Sequence, residues 1–198
     1  MKRTLIIVIV IFFISGCKVT STKDAEISFT LETKESLEKY LSTNNLNYEK
    51  NHLYTLKDIR TFAEFNEQDK LSLPQVLFFK KNGKQVKNVF NHNECTNIIS
   101  DFNQINDLKI DKSAFLFEEL LDKINPLYSN KVKDDMISVV IFYGKYVSSH
   151  KSINNQSFEW YEEVSKVNKN DVNILLVSLD VMQNWNLTKE TKESIGIE

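Results

Sequence analysis

The sequence predicts an α/β domain in which a mixed sheet is flanked by helices. Three observations carry that expectation. Residues 137–143 (ISVVIFY) and 173–179 (NILLVSL) are short continuous apolar runs, the pattern of strands buried on both faces. Between them Phe158, Tyr161, Val164 and Val167 recur at helical spacing. The three segments therefore read as a βαβ unit with parallel strands and a right-handed crossover. Residues 76–79 form a third apolar run, and Asn82-Gly83 after it is a strong two-residue hairpin signal.

Taken in chain order, the first element is not part of that body. Residues 1–17 read MKRTLIIVIVIFFISGC: Lys2 and Arg3, an unbroken apolar run over 5–14, then Ser15, Gly16 and Cys17. A charged start, an apolar middle and a small-residue exit are the parts of an export signal. The run is about half of the roughly 20 apolar residues that a membrane-spanning helix needs. The ending ISGC resembles the bacterial lipobox. That resemblance implies that residues 1–16 are a lipoprotein signal peptide, with Ile14, Ser15 and Gly16 as its recognition residues. It implies that Cys17 is lipidated and becomes the N-terminus, and that residues 17–25 tether lipid to body. Several acyl chains hold a protein firmly where one holds it marginally, at about 0.8 kcal/mol per buried methylene. The expected location is the cell envelope, on the outer membrane if the organism is Gram-negative, because Lys18 is not the aspartate associated with inner-membrane retention.

Charge and cysteine usage then narrow the chemistry. The chain has 198 residues with 25 Lys+Arg and 27 Asp+Glu; losing Lys2 and Arg3 leaves 23 basic side chains and a formal charge of −4. A nucleic-acid binder carries a basic footprint, so no nucleic-acid partner is expected. If Cys17 carries lipid, Cys95 is the remaining thiol, and an intrachain disulfide cycle is excluded. His52, His92 and His150 lie far apart without metal-ligand spacing, so neither a metal site nor another cofactor is expected.

The body itself has four glycines and two prolines, few breakers for its length. Leu37, Tyr40 and Leu41 predict a helix opened by Thr33 as N-cap. Residues 47–56 read as extended. Ile59, Phe62 and Ala63 predict a second helix, ended by Asn66. Residues 85–90 are the returning strand of the hairpin. Cys95, Ile98, Ile99 and Phe102 share a face of a third helix capped by Asn93. A fourth helix is expected over 113–124, from Phe117, Leu120, Leu121 and Ile124, with Asn125-Pro126 ending it.

Residues 71–90 resemble the thioredoxin segment in which a cis-proline opens a central strand before a tight turn and an edge strand. Pro74 matches the proline and Lys81-Asn82-Gly83 the turn. Residues 139–151, which end in FYGKYVSSHK (142–151), resemble the first central thioredoxin strand and its active-site turn, without the Cys-x-x-Cys pair. Val147 and His150 occupy the two cysteine places, with Tyr146 before and Lys151 after. The resemblance implies a thioredoxin-like fold, but the order is reversed, since Pro74 precedes Val147. Two arrangements account for that: residues 26–108 form a thioredoxin-like unit to which a helix plus βαβ region (109–198) is appended, or both regions pack as one body around a permuted sheet.

Thioredoxin chemistry needs a thiolate and a resolving thiol. Val147 supplies neither, so the family's activity is not implied. The expected function is a membrane-anchored, redox-inactive thioredoxin-like body acting as a binding or scaffolding module for a protein or peptide partner. The candidate cleft is lined by Pro74, Val147 and His150, where thioredoxins hold extended peptides by strand pairing. The competing expectation is a thiol-dependent reductase or peroxidase using Cys95. Its place on an apolar face also fits a small buried side chain.

Overall fold

The computed structural model describes residues 27, 29–68, 70–87, 104–112, 114, 116–149, 151–167 and 172–197. The signal segment, the lipidation candidate Cys17, the candidate thiol Cys95 with its predicted helix, and His150 lie outside the described residues.

Helix α1 spans Lys34–Thr43 and starts as expected at Thr33. The Thr33 hydroxyl accepts the Ser36 amide, and the Ser36 hydroxyl accepts the Thr33 amide in return. Two of the orphan amides at the helix start are thereby satisfied. A 3-10 turn over Lys50–His52 leads into strand β1, Leu53–Leu56. Asp58 caps helix α2, Ile59–Glu67, by accepting the Thr61 amide at 2.8 Å. The helix runs past Asn66, and its buried stripe is Phe62 and Phe65 rather than Ala63, which is exposed. Strand β2 is Gln75–Phe79, entered through a cis Leu73–Pro74 bond.

The chain then departs from the sequence pattern twice. The hairpin turn forms, with Gly83 at φ +73° where glycine is favoured. Of the returning segment, residues 85–87 are described, and there the pairing consists of isolated bridges at Gln85 and Val86, next to one at Lys84; residues 88–90 lie outside the described residues. Helix α3 covers only Phe117–Leu121, and Ile124–Pro126 instead forms strand β3. Ile124 pairs with Leu56 across an antiparallel ladder. The unpaired edge of β1 is thus closed by residues whose spacing favoured a longer helix, tertiary pairing overriding local periodicity.

Strand β4 (Ile137–Tyr143), helix α4 (Lys151–Val164) and strand β5 (Val172–Ser178) form the expected βαβ unit, with β4 and β5 parallel. Val167 falls beyond the helix and packs half-buried. The last elements are a 3-10 turn, Gln183–Trp185, and helix α5, Lys189–Ser194.

The five strands among the described residues join one mixed sheet in the order β2-β4-β5-β1-β3. The pairs β2·β4 and β1·β3 are antiparallel, and β4·β5 and β5·β1 parallel. Alternate residues of each strand feed opposite cores, as the two-residue period requires. Leu77, Phe79, Val140, Phe142, Leu175 and Val177 pack with Phe62 and Phe65 of α2 and with Phe117 and Leu120 of α3. Val76, Phe78, Val139, Ile141, Ile174 and Leu176 pack with Leu41 of α1 and with Phe158, Tyr161 and Val164 of α4. The result is a small α/β domain whose helix-flanked five-stranded sheet resembles a thioredoxin-like architecture.

Candidate functional site

The parallel strands β4 and β5 end side by side, and in open α/β sheets that end is where ligands are held. Here it carries the segment that resembles the thioredoxin active-site turn. Gly144 opens the turn because a side chain would not fit: a Cβ there would lie 2.2 Å from Cε1 of the Tyr146 ring. The 3-10 turn Lys145–Val147 follows, then Ser148 and Ser149, both exposed, before α4.

The turn is tied down from three sides. Asp180 lies just beyond β5, and its carboxylate accepts the amides of Lys145 at 2.9 Å and Tyr146 at 3.0 Å. It also accepts the Ser178 hydroxyl at 2.6 Å. From α4, Asn154 accepts the Gly144 amide and donates to the Gly144 carbonyl and to the Tyr40 hydroxyl. The Tyr146 hydroxyl donates to the Leu71 carbonyl at 2.6 Å, which binds the turn to the segment leading into Pro74.

A second carboxylate stands nearby. Glu32 is 2% exposed and receives Lys145 Nζ at 2.7 and 2.9 Å, together with the hydroxyls of Thr30 and Ser36. Its backbone bridges to the chain after β5, donating to the Val181 carbonyl and accepting the Gln183 amide, both at 2.8 Å. The segment before α1 is therefore strapped across the end of the sheet by main chain and side chain together.

The two carboxyl groups are driven apart in acidity. Burial pushes Asp180 up to about 6, against the hydrogen bonds from Lys145, Ser178 and Tyr146 that favour its charged form. Burial also works to raise Glu32, but the bonds from Lys145, Ser36 and Thr30 outweigh it and hold Glu32 below the ordinary carboxylate range. Tyr143 and Tyr146 are raised, first by burial and then by the charge of Asp180. Divergent carboxyl pairs mark acid and base roles where a substrate can reach them. Asp180 is 2% exposed, and its acceptor capacity is directed at its own turn.

Of the cleft residues expected from the sequence, Val147 is 0% exposed and packs in the core with Leu73 and Tyr146. Pro74 is also buried. In this structure the two fill the core beneath the turn and do not line an open groove. The strand edge beside Pro74 is occupied as well, because the Val86 amide donates to the Phe78 carbonyl. Among the described residues no group of three or more His, Cys, Asp or Glu side chains could hold a metal ion. No helix among them is long and apolar enough to cross a membrane.

The residues that organise this end of the sheet, Asp180, Glu32 and Asn154, were not singled out by the sequence. One signal did exist: Ser178 and Asp180 alternate at the close of an apolar strand, which places two polar side chains on one buried face.

No protein-family model, curated protein or solved structure matches the chain.

Proposed function

We propose that the chain is an envelope lipoprotein held at the membrane through Cys17. Its thioredoxin-like body is redox-inactive and serves as a binding or scaffolding module. The observation that carries the second half is Val147: an aliphatic side chain stands where the resemblance puts a thiol, and it is fully buried in the core cluster that also holds Tyr146 and Leu73. Disulfide exchange needs an accessible thiolate there. The first half rests on MKRTLIIVIVIFFISGC and the lipobox order of its last four residues.

The strand order supports reading the fold as one permuted sheet. Strand β2, which follows the cis-proline, pairs antiparallel with β4, which leads into the turn, although β2 comes first in the chain. On this reading residues 26–108 and 109–198 contribute to one body, since each supplies strands to the same sheet.

Two measurements on the full chain test the proposal. Metabolic labelling with a clickable palmitate should mark the wild-type chain in the membrane fraction and not its Cys17→Ser variant; equal labelling of both would refute the anchor. Insulin reduction and peroxide turnover should be absent from both the wild type and Cys95→Ser. Turnover by the wild type that disappears in Cys95→Ser would replace the binding module with a thiol enzyme.

A further inference from the structure

Beside the Glu32 cluster a cavity of about 610 Å³ opens between the start of α1, the β1–β3 edge and the chain after β5. That size lies within the roughly 300–1,000 Å³ of small-molecule sites. Thr55, Asn125, Gln183, Asn184, Trp185 and Asn186 are part of its wall. Thr55 and Asn125 face each other as a register pair of the β1–β3 ladder.

The 183–186 loop is fixed in shape without any ligand. The Gln183 amide donates to the Glu32 carbonyl at 2.8 Å, and the Trp185 amide to the Met182 carbonyl at 3.2 Å. Asn186 closes the turn in the left-handed region, φ 51° and ψ 49°, which asparagine tolerates better than most residues. A wall ordered in advance loses little freedom when a ligand arrives.

Charge is committed elsewhere. Glu32 and Lys34 both reach the wall. The Glu32 carboxylate is neutralised by Lys145, and Lys34 Nζ sits 3.4 Å from the centroid of the Tyr128 ring, a cation–π contact. The rest of the wall is four carboxamides, the Thr55 hydroxyl, the Thr33 hydroxyl already taken by the Ser36 amide, the apolar side chains of Pro126, Leu127 and Met182, and an indole. Asn125 and Asn186 each spend an amide hydrogen on a backbone carbonyl. The carboxamides of Gln183 and Asn184 have no hydrogen-bond partner among the described residues, and both side chains are exposed.

These groups select a ligand class. Each carboxamide offers two donors and an acceptor, matching hydroxyls that donate and accept in turn. The indole, half-buried against the core with its ring centroid 6.4 Å from that of Phe62, offers the exposed part of an apolar ring and one N–H at its rim. An anionic ligand would meet a single cation, Lys34, already stacked on Tyr128, a cationic one would meet only the Glu32 carboxylate already paired with Lys145, and a purely apolar one would leave the carboxamides without partners. We infer that the cavity binds a neutral saccharide. Trp185 lies against the apolar face of a sugar ring, and Gln183 and Asn184 bond its hydroxyls. The inference deepens the binding-module reading by giving it a ligand class, and it does not need the lipid: failure of sugar binding would leave the anchor intact, and failure of the anchor would leave the cavity.

The test uses the full chain in mild detergent, in a Trp160→Phe background that makes Trp185 the sole indole, since the chain has two tryptophans. Maltotriose, cellotriose, mannotriose and chitotriose are titrated by calorimetry and Trp185 emission, with tri-galacturonate as a charged control. At least one neutral trimer should bind saturably and shift the emission. Asn184→Ala should raise its Kd about five- to tenfold, the worth of one or two neutral hydrogen bonds, with the melting temperature unchanged. Trp185→Phe, a second variant that keeps a ring in place, should also weaken binding. No saturation with any neutral trimer overturns the inference, as does a Kd indifferent to both variants or tighter binding of the charged control.

Discussion

The 144–149 turn and the 183–186 loop leave the same end of the sheet and share the Glu32 cluster, yet they present opposite surfaces. In the turn, Tyr146 and Val147 are buried, and the polar atoms beneath are used on the turn's own backbone. In the loop, Gln183, Asn184 and Asn186 are exposed and Trp185 is half-buried. A place in a fold where relatives of that architecture do chemistry is only an address; the side chains standing there decide whether a ligand can enter. Here Asp180 ties down the turn alone, while Glu32 reaches both segments, its carboxylate taking Lys145 and its backbone carbonyl taking the Gln183 amide. The contrast can be broken or sharpened by substitutions on either side.

The largest effect is expected at Val147. Val147→Asp places a carboxylate without a partner among Leu73, Tyr146 and Phe142. The expected loss is about 4 kcal/mol or more, read from urea unfolding. A loss under about 1 kcal/mol would mean that the turn opens to water at little cost, and the contrast with the loop would disappear.

Lys145→Ala comes next. It leaves the Glu32 carboxylate, 2% exposed, without its cation. Stranding one member of a buried pair costs 3–5 kcal/mol, and because the Lys145 side chain is 34% exposed the expected loss is nearer about 2 kcal/mol. Since the Glu32 backbone also holds the segment before α1, hydrogen exchange at the Glu32 and Gln183 amides should quicken together. Quickening at only one of them would show that the strap and the loop are not coupled through this residue.

Asp180 gives the comparison a pH dependence. Its folded value of about 6 stands above the ordinary 3.8, so the folded chain holds the proton more tightly than the unfolded chain. Stability from this group is full below pH 3.8 and is lost as pH rises through about 6, to a ceiling of about 3 kcal/mol. Glu32 works in the opposite sense and lower down: its folded value is depressed below 4.5, so its contribution is present above pH 4.5 and lost as pH falls through the folded value. Between pH 5 and 7 the unfolding free energy of the wild type, read from urea titrations, should therefore fall by about 1 kcal/mol on account of Asp180. Asp180→Asn should flatten that slope. An unchanged slope in the variant would assign the dependence to other groups.

How much of this was legible in the sequence follows from how locally each feature is encoded. The βαβ unit, the Thr33 cap and the β2 run are written in neighbouring residues, and all three stand where their spacing put them. Strand β3 was not legible, because Ile124 continues the apolar spacing of Phe117, Leu120 and Leu121; only the exposed edge of β1, far away in the chain, converts it to a strand. The turn was found from its likeness to another family's site, but its closure depends on Asp180, 33 residues after Val147, and on Leu71, 76 residues before it. The carboxamides of the loop are not legible as a site in the sequence, because asparagine and glutamine in a short connection are ordinary surface until a fold places walls around them.

The smallest expected effect is the most discriminating. Asn184→Ala removes a carboxamide that is exposed and has no hydrogen-bond partner among the described residues. Substitutions of that kind usually change stability by less than about 0.5 kcal/mol. Tyr146→Phe, on the closed side, removes a single hydroxyl whose bond to the Leu71 carbonyl is nearly sheltered from water, and about 1 kcal/mol should go with it. Measured side by side by urea unfolding, the two variants weigh polar atoms already spent on the fold against polar atoms left over from it. If Asn184→Ala costs as much as Tyr146→Phe, the loop's carboxamides are structural and the cavity has no recognition groups to spare. If it costs almost nothing, the fold has no use for that carboxamide, and a residue on the wall of a preformed cavity is free to serve what the cavity holds.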